Sequence, residues 1–184
     1  MGIRLKLAET AKELDDVFWL RHQVYVVEEG KFGGDANARS YLTDRFDAHP
    51  TCANLIAYEG DEPVATIRLN LVAGVGLPAE EYFDFSDERK RLAVDWPLET
   101  GEETLIKSAG MLAVRAAWRR RRDVIRALFK LVGVVGRSWG VTHIFIIANH
   151  ENVAMYRRVG FMALNDRIWV EDIGNYIVPR VSTF

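Results

Sequence analysis

The sequence has 184 residues, of which 49% are hydrophobic and 27% are charged, and its formal net charge is −2. This length and balance exclude a largely disordered chain and predict one globular domain over residues 1–184. The single cysteine, Cys52, excludes an internal disulfide and favours a reducing compartment, so we expect a cytoplasmic protein. No stretch reaches the roughly 18 consecutive apolar residues of a membrane-spanning helix, so no integral membrane segment is expected.

The N-terminal third is predicted to contain a strand, a helix and a β-hairpin. Residues 3–7 alternate between apolar and polar side chains, which is typical of a strand. Thr10 and Glu13 have the spacing of a capping box, so we expect a helix to begin there and to extend to about Tyr25. Residues 53–58 and 63–70 then predict two strands joined by a short hairpin turn.

Two segments are predicted to be loops. Lys31–Arg39 and Ala73–Glu103 are polar or interrupted by Gly and Pro, which punctuate regular structure. Loops of this length in a compact domain are often lids or binding loops.

The C-terminal half has the pattern of a strand, a helix, a strand and a second helix, followed by two more strands. The apolar run Met111–Val114 precedes four consecutive arginines, and apolar residues then recur at helical spacing from Val124 to Val135. Thr142–Ala148 is a continuous apolar run suited to a buried strand. The last two strands are predicted at 163–171 and 176–181.

Charge is unevenly distributed along the chain. Residues 115–137 contain eight Arg or Lys and one Asp, a local charge of +7, whereas the remainder has 16 basic and 25 acidic residues, a charge of −9. A basic patch on an acidic body indicates an anionic partner at one place. A solvated helix face is the alternative interpretation.

The segment after Ala148 resembles the last motif of the GNAT superfamily of N-acyltransferases. Asn152, Ala154, Tyr156 and Gly160-Phe161 match the family pattern Asn-x-x-Ala-x-x-Tyr-x-x-x-Gly-Phe, with one residue fewer between Asn and Ala. The arginine run occupies the place of the family's pyrophosphate loop, but Asp123 and Ile125 stand where that loop has glycines. Glycines let backbone amides close on a pyrophosphate, so this departure counts against a standard coenzyme A site.

Motifs in the N-terminal half are similar to those of two acyltransferase subgroups. Arg21–Tyr25, Asp44–Asp47 and Arg68-Leu69 resemble, in order and spacing, motifs of the N-acyl-homoserine lactone synthases. Leu77–Glu80 and the arginine-rich loop resemble the long-chain N-acyl amino acid synthases. The lactone synthases have Glu and Arg on the central strand where this chain has Ser and Met in Ser108–Met111, so a homoserine lactone product is not supported.

The resemblance implies an α/β (α+β) fold of GNAT type. We expect a mixed, mostly antiparallel twisted sheet of about seven strands, with helices on both faces. Its central parallel strands, containing Met111–Val114 and Thr142–Ala148, are expected to splay apart. A donor thioester would pair with the exposed edge of the first of these strands.

The resemblance also implies roles for individual residues. Tyr156 matches the family tyrosine that donates a proton to the departing sulfur, although a purely packed aromatic is the alternative. The backbone at Leu112 would polarise the thioester carbonyl. The remaining candidates for donor binding are Met111, Ala113, Val114, Arg119, Arg120, Arg121, Arg122, Asp123, Val124, Asn149 and Asn152.

Charged residues of the N-terminal half are candidates for the acceptor site. Arg21, Asp44, Asp47 and Arg68 could form an ion network beside the cleft, or could equally be a structural network. The other acceptor-site candidates are Tyr25 and Glu28. The histidines have no metal-ligand spacing, so no metal site is expected, and His150 is one candidate for a general base.

These features predict an N-acyltransferase that moves an acyl group, expected to be long, from an acyl carrier protein to the amine of an amino acid or similar small molecule. No tightly bound cofactor is expected, because an acyl-phosphopantetheine thioester of a carrier protein or of coenzyme A serves as co-substrate. A coenzyme A-dependent N-acetyltransferase is the alternative within the superfamily. An acyl-thioester sensor and a nucleic-acid-binding module are the non-enzymatic alternatives, and no nucleic-acid motif supports the latter. An acyl product would also give transient contact with a membrane.

Overall fold

A computed structural model of the chain describes residues 2–32, 40–71, 75–95, 106–171 and 173–183. Within them, eight strands form one sheet. They are β1 Ile3–Leu7, β2 Cys52–Glu59, β3 Glu62–Leu71, β4 Ile106–Val114, β5 His143–Asn149, β6 Met162–Ala163, β7 Ile168–Val170 and β8 Asn175–Thr183. Four α-helices accompany them: α1 Ala11–Arg21, α2 Ser86–Asp95, α3 Arg122–Ser138 and α4 Val153–Arg158.

The sheet has the mixed, mostly antiparallel topology expected for a GNAT fold. Its strand order is β1-β2-β3-β4-β5-β8-β6, and β7 also pairs with β8. Strands β4 and β5 run parallel, whereas the other described pairings are antiparallel. The predicted central pair is therefore confirmed, with one more strand than expected because two short strands, β6 and β7, stand where the sequence predicted a single strand over 163–171.

The splay between β4 and β5 is visible in their register. Their parallel ladder joins Ile106, Lys107 and Ser108 to His143, Ile144 and Phe145, and it ends there. Beyond this point β4 continues to Val114 and β5 to Asn149. The predicted strand at Met111–Val114 is thus the C-terminal part of a longer strand.

Helices cover both faces of the sheet because side chains of β2 alternate between two cores. Leu55 and Ala57 belong to the main core, which includes Val124 and Leu128 of α3. Ile56 and Tyr58 point the other way and pack with Val17 of α1. This period-2 alternation allows one strand to support helices on opposite faces.

Helix α1 begins as predicted but ends differently. Thr10 and Glu13 form the expected capping box, with the Glu13 amide donating to Thr10 Oγ1 at 3.3 Å and the Thr10 amide donating to Glu13 Oε2 at 3.1 Å. The α-helical geometry stops at Arg21, and His22–Glu28 continues as a π-helix. Wide helical turns of this kind are rare and occur often at functional sites.

The prediction of a loop over Ala73–Glu103 is wrong within the described residues. A short 3₁₀ helix, Pro78–Glu81, and α2 lie inside it. Helix α2 lacks a strong apolar period, but its charges suit a helix: Asp87 and Glu88 lie in the first turn and pair with Lys90 and Arg91 three residues later. Residues 72–74 and 96–105, and residues 33–39 of the other predicted loop, lie outside the described part of the chain.

Candidate active site

A cleft of about 560 Å³ lies where β4 and β5 separate. Its volume is within the usual range for small-molecule sites. Nine residues selected from the sequence line it: Tyr25, Asp44, Arg68, Met111, Leu112, Arg119, Asn149, Asn152 and Tyr156. The splay therefore brings together candidates from the donor set and from the acceptor set.

Other cleft residues were missed by the sequence analysis because their apolar or turn patterns did not distinguish them from core and loop. They include Lys31, Phe32, Ile67, Glu81, Ser108, Ala109, Gly110, Phe129, Ile146, Ile147, Glu151, Ile173 and Asn175. The cleft is also lined by Pro78 and Ala79 of the Leu77–Glu80 motif and by Tyr82, an aromatic residue of the same insert that could cover an acyl chain. Glu29 also lines the cleft. The spacing of apolar residues along α3 predicted that Phe129 lies on the buried face of the helix. It could not predict that this part of the face borders a cavity.

Strand β4 contains a bulge at the cleft. Thr66 of β3 faces Ala113 and Arg68 faces Gly110, so Ile67 is opposite two residues, Met111 and Leu112. Met111 has φ of +52°, which is uncommon for a residue with a side chain. A bulge re-aims backbone groups and is frequent beside active sites. Here it lies on the edge to which we assigned the donor.

Tyr25, on the π-helical segment, makes a side-chain hydrogen bond to the backbone of this bulge. Its hydroxyl donates to the carbonyl oxygen of Leu112 at 2.9 Å. Burial raises the pKa of Tyr25, so the hydroxyl remains a donor at neutral pH. Its ring meets the ring of Phe32 edge-on, with centroids 5.8 Å apart. The π-helix thus carries a cleft side chain to the backbone of β4.

Tyr156 lies across the cleft on α4 between two aromatic rings. It makes edge-to-face contacts with Phe129 and Phe161, at centroid distances of 6.0 and 5.6 Å. Burial raises the pKa of Tyr156 to about 12, which keeps its hydroxyl protonated. A protonated, well-packed hydroxyl in the cleft has the form that a general acid requires.

Two arginines and two aspartates form the predicted ion network. Arg21 Nη1 donates to Asp47 Oδ1 and Oδ2 at 2.8 and 3.0 Å, and Arg68 Nη1 lies 2.6 Å from Asp44 Oδ1 and 3.1 Å from Asp47 Oδ1. Burial opposes ionisation of Asp47, but Arg21 and Arg68 outweigh it and lower its pKa. Asp44 and Arg68 line the cleft, whereas Arg21 and Asp47 lie behind them.

Removing Asp47 should destabilise the fold strongly. We expect Asp47→Ala to lower the free energy of unfolding by about 3–5 kcal/mol, because it leaves two buried guanidinium groups without their shared carboxylate. Denaturant unfolding at pH 7 measures this, with the exposed Asp61→Ala as control. Because the folded state lowers the Asp47 pKa, its contribution is present above the unfolded pKa and is lost as pH falls through the folded pKa. A variant as stable as the parent would contradict a supporting role for the network.

Glu28, predicted as an acceptor-site residue, does not line the cleft. Its carboxylate accepts from Arg115 Nε, from the Ala116 amide and from Arg119 Nη2, each at 2.9 Å. These bonds join the π-helical segment to the loop after β4. Arg119 also donates to the Val114 carbonyl and pairs with Glu29, so it borders the cleft with its charge already engaged.

The remaining arginines of the loop face solvent. Arg121 donates to Asp123 at 3.0 and 2.7 Å, whereas Arg120 and Arg122 are exposed and have no acidic partner in the described part of the chain. Asp123 is the second residue of α3, and Val124 is buried in the core. Arg121 lowers the pKa of Asp123, and backbone amides of Asp123 and Val124 add to this effect.

The remaining candidate site residues lie at the C-terminal ends of the two central strands, β4 and β5. Ala113 and Val114 are buried, so only their backbone can face a ligand. Asn149 and Asn152 lie at the C-terminal end of β5, and His150 between them is exposed and does not line the cleft.

Among the described residues, no group of three or more His, Cys, Asp or Glu is placed to hold a metal ion. Likewise, no described helix is long and apolar enough to cross a membrane.

Comparison with known families gives a match over most of the chain. A model of the family described as FeeM, N-acyl amino acid synthase, matches residues 16–180. No curated protein matches the sequence.

Solved structures show where the same fold occurs. The FeeM N-acyl amino acid synthase from uncultured soil microbes matches with a TM-score of 0.76 at 13% identity, over 99% of this chain and 91% of that chain. A putative N-acetyltransferase from Lactobacillus plantarum matches with a TM-score of 0.67 at 16% identity, over 100% and 99% of the two chains. A CoA-dependent acyl-homoserine lactone synthase, BjaI, solved with SAM and isopentyl-CoA, gives 0.67 at 18% identity, over 98% and 82%. At these identities the likeness is one of fold.

Proposed function

This chain belongs to the FeeM family of N-acyl amino acid synthases, and we propose that it transfers a long acyl chain from an acyl carrier protein to the amine of an amino acid. The family makes it an N-acyltransferase, an enzyme that transfers an acyl group to an amine. The alternatives of a nucleic-acid-binding module and a silent sensor are therefore set aside. The observation that carries the proposal is the cleft between β4 and β5, which is lined both by the bulged edge of β4 and by Tyr156.

The proposed reaction uses the backbone of β4 and the hydroxyl of Tyr156. The donor's pantetheine arm pairs with the β4 edge beyond Ser108, and backbone amides near Leu112 polarise the thioester carbonyl. The neutral amine nitrogen attacks the carbonyl carbon, a C–N bond forms and the C–S bond breaks. Tyr156 protonates the departing thiolate, and the proton that the amine nitrogen loses as the amide forms returns to the tyrosine oxygen, so that the proton count balances. Tyr25 steadies the bulge by its hydrogen bond to Leu112.

Two features of the arginine loop support a carrier protein as donor. Arg120 and Arg122 are exposed and unpaired among the described residues, so they can contact an acidic protein surface. Asp123 places a negative charge in the first turn of α3, where a pyrophosphate would otherwise meet free backbone amides. The first feature favours a carrier protein, and the second disfavours coenzyme A.

Removing the charge of Asp123 should improve the use of coenzyme A thioesters. We expect Asp123→Asn to raise kcat/KM for a long-chain acyl-coenzyme A roughly three- to tenfold, because repulsion of the pyrophosphate is lost. Acyl-pantetheine, which lacks the pyrophosphate, should be used as before. The matched control is Asp87→Asn, at the same position in the first turn of α2. An unchanged preference between the two donors would exclude Asp123 as a donor-selecting residue.

The setting of the reaction follows from its donor. A carrier protein can be acylated only when its phosphopantetheine thiol is reduced, and a reducing cytoplasm keeps it so, which is why we place this enzyme there. A long-chain acyl amino acid is an amphiphile, and its release would give the transient membrane contact expected above.

A donor comparison tests the proposed function. Purified protein would be given the same long acyl group on a carrier protein, on coenzyme A and on pantetheine, together with a mixture of amino acids. We expect an N-acyl amino acid to form most efficiently from the carrier protein. Formation with coenzyme A alone would favour the acetyltransferase-like alternative.

A further inference from the structure

The cleft closes at the last pair of the parallel ladder between β4 and β5. This pair joins Ser108, which lines the cleft, to Phe145. Deeper in the sheet the two strands are hydrogen-bonded, so a ligand cannot pass between them. Side chains of β5 alternate between the two faces: Ile146 belongs to the main core with α3, whereas Phe145 and Ile147 face the insert between β3 and β4, described over residues 75–95. A long ligand must therefore follow one face.

On the face of the insert, the space beyond this last pair is filled by two stacked aromatic rings. Phe85 lies on Phe145 with centroids 4.5 Å apart and an angle of 8° between the ring planes, and both side chains are fully buried. They share a small core with Leu77 and Ala79. Ala79 also lines the cleft, as does Ile147, which packs against the same core. The apolar wall of the cleft therefore leads to the stacked rings.

An ion pair of the insert holds Phe85 in place. Glu80 accepts from the Leu77 amide at 2.7 Å and from Arg89 Nε and Nη2 at 3.0 and 2.7 Å. Arg89 belongs to α2, its amide donates to the Phe85 carbonyl at 2.9 Å, and its guanidinium lies 5.8 Å from the centroid of the Phe145 ring. These contacts fix the start of α2, and Phe85 directly before it, against the 3₁₀ helix and β5.

The proposed reaction directs the acyl chain toward this face. The thioester sulfur has to lie within reach of the Tyr156 hydroxyl, and the Tyr156 ring packs with Phe129 and Phe161 on the α3 face of the sheet. The acyl chain extends from the carbonyl carbon on the side away from the sulfur. It therefore points to the opposite face, where Ala79 and Tyr82 of the insert line the cleft.

We propose that the stacked rings of Phe85 and Phe145 form the end of the acyl site and set the greatest chain length that the enzyme accepts. Each methylene buried against the wall of Ala79, Tyr82 and Ile147 should raise kcat/KM about fourfold, until the chain reaches the rings. A longer chain would have to displace a ring from a close-packed core. This inference rests on the proposed function and gives its long acyl chain a defined upper limit.

A graded series of saturated acyl groups on the same carrier protein tests the proposal. For the wild type we expect kcat/KM to rise with chain length to a maximum and then to fall. In Phe85→Ala the maximum should move to chains longer by about two to four methylenes, because loss of the ring opens space at the end of the wall. An active variant with the parent's maximum would overturn the proposal and leave acyl transfer standing. Failure of the wild type to acylate any amine at any chain length would instead count against the proposed function.

Phe83 supplies the matched control. Its half-buried ring meets the edge of Phe85 with centroids 4.9 Å apart, and it packs against the same core. Phe83→Ala removes an identical ring but leaves Phe85 on Phe145, so it should lower the melting temperature and keep the parent's maximum. An equal shift in both variants would show that a loosened core, and not the Phe85 ring, sets the length, which would overturn the assignment.

A variant that adds volume tests the same assignment in the opposite direction. Ala79 is buried, lines the cleft and packs in the core of Phe85. Ala79→Leu lengthens a side chain at the end of the wall, so the maximum should move to chains shorter by about two or three methylenes. If Phe85→Ala does not fold, Phe85→Leu takes its place, because it keeps more of the buried volume and should still lengthen the preferred chain by about one or two methylenes. An unmoved maximum in folded Phe85→Leu would refute the proposal.

Discussion

Reversing the charges of Arg120 and Arg122 is expected to impair use of an acyl carrier protein while sparing a small donor. In Arg120→Glu/Arg122→Glu we expect kcat/KM with the acyl carrier protein to fall roughly 10- to 100-fold, because exposed charges of this kind act mainly on association. The efficiency with acyl-pantetheine should stay within about twofold, since this donor has no acidic protein surface. Steady-state kinetics with both donors at low and high salt measure the difference.

The control for this variant makes the same change of charge, two basic residues replaced by glutamate, on a different surface of the protein. Lys90 and Arg91 on α2 are exposed and pair within their own helix. Lys90→Glu/Arg91→Glu should leave the carrier protein as good a donor as before. If the loop variant instead loses activity equally with both donors, the arginines bind the phosphopantetheine or hold the fold, and the docking role is wrong.

Replacing Tyr156 by phenylalanine should lower turnover with little effect on donor affinity. The hydroxyl acts as the thiolate leaves, so its contribution belongs to the transition state and not to binding. A thiolate can depart without help, and we therefore expect a loss of roughly ten- to hundredfold, at the low end for general acids. Release of free thiol at saturating donor and acceptor gives the turnover.

A second tyrosine supplies the control for that experiment. Tyr58 donates its hydroxyl to Asp16 at 2.9 Å and packs against α1, away from the cleft. Tyr58→Phe should leave turnover unchanged even if it lowers the melting temperature. A Tyr156→Phe enzyme that is folded and fully active would leave Tyr156 as a packing residue.

The secondary-structure elements that could be predicted from the sequence are those indicated by patterns among residues close together in the chain. The capping box at Thr10, the hairpin of β2 and β3 and the amphipathic α3 each follow from spacing within a few turns or residues. The parallel central pair came from the family resemblance, because no local pattern indicates which strands are neighbours. Helix α2 was missed because its charged residues satisfy one another along the helix and leave little apolar period.

The site was less predictable because its decisive features depend on tertiary contacts. The bulge at Met111 arises from the pairing of β4 with β3, and the π-helix that carries Tyr25 has no spacing of its own in the sequence. The four charges of the ion network could be chosen from the sequence, but not which of them reach the cleft: Asp44 and Arg68 line it, whereas Arg21 and Asp47 do not. Glu28 was chosen for its position after Tyr25, yet three donors from the loop after β4 engage it.

The most direct test of acyl transfer follows both products of one turnover. A long-chain acyl carrier protein would be mixed with a small excess of enzyme and an amino acid, and intact mass spectrometry would track the carrier and the acyl group together. We predict that the carrier loses its acyl mass to give the free thiol, while an equal amount of amide-linked N-acyl amino acid appears. Loss of the acyl group as free fatty acid, with no amide formed, would contradict acyl transfer to an amine.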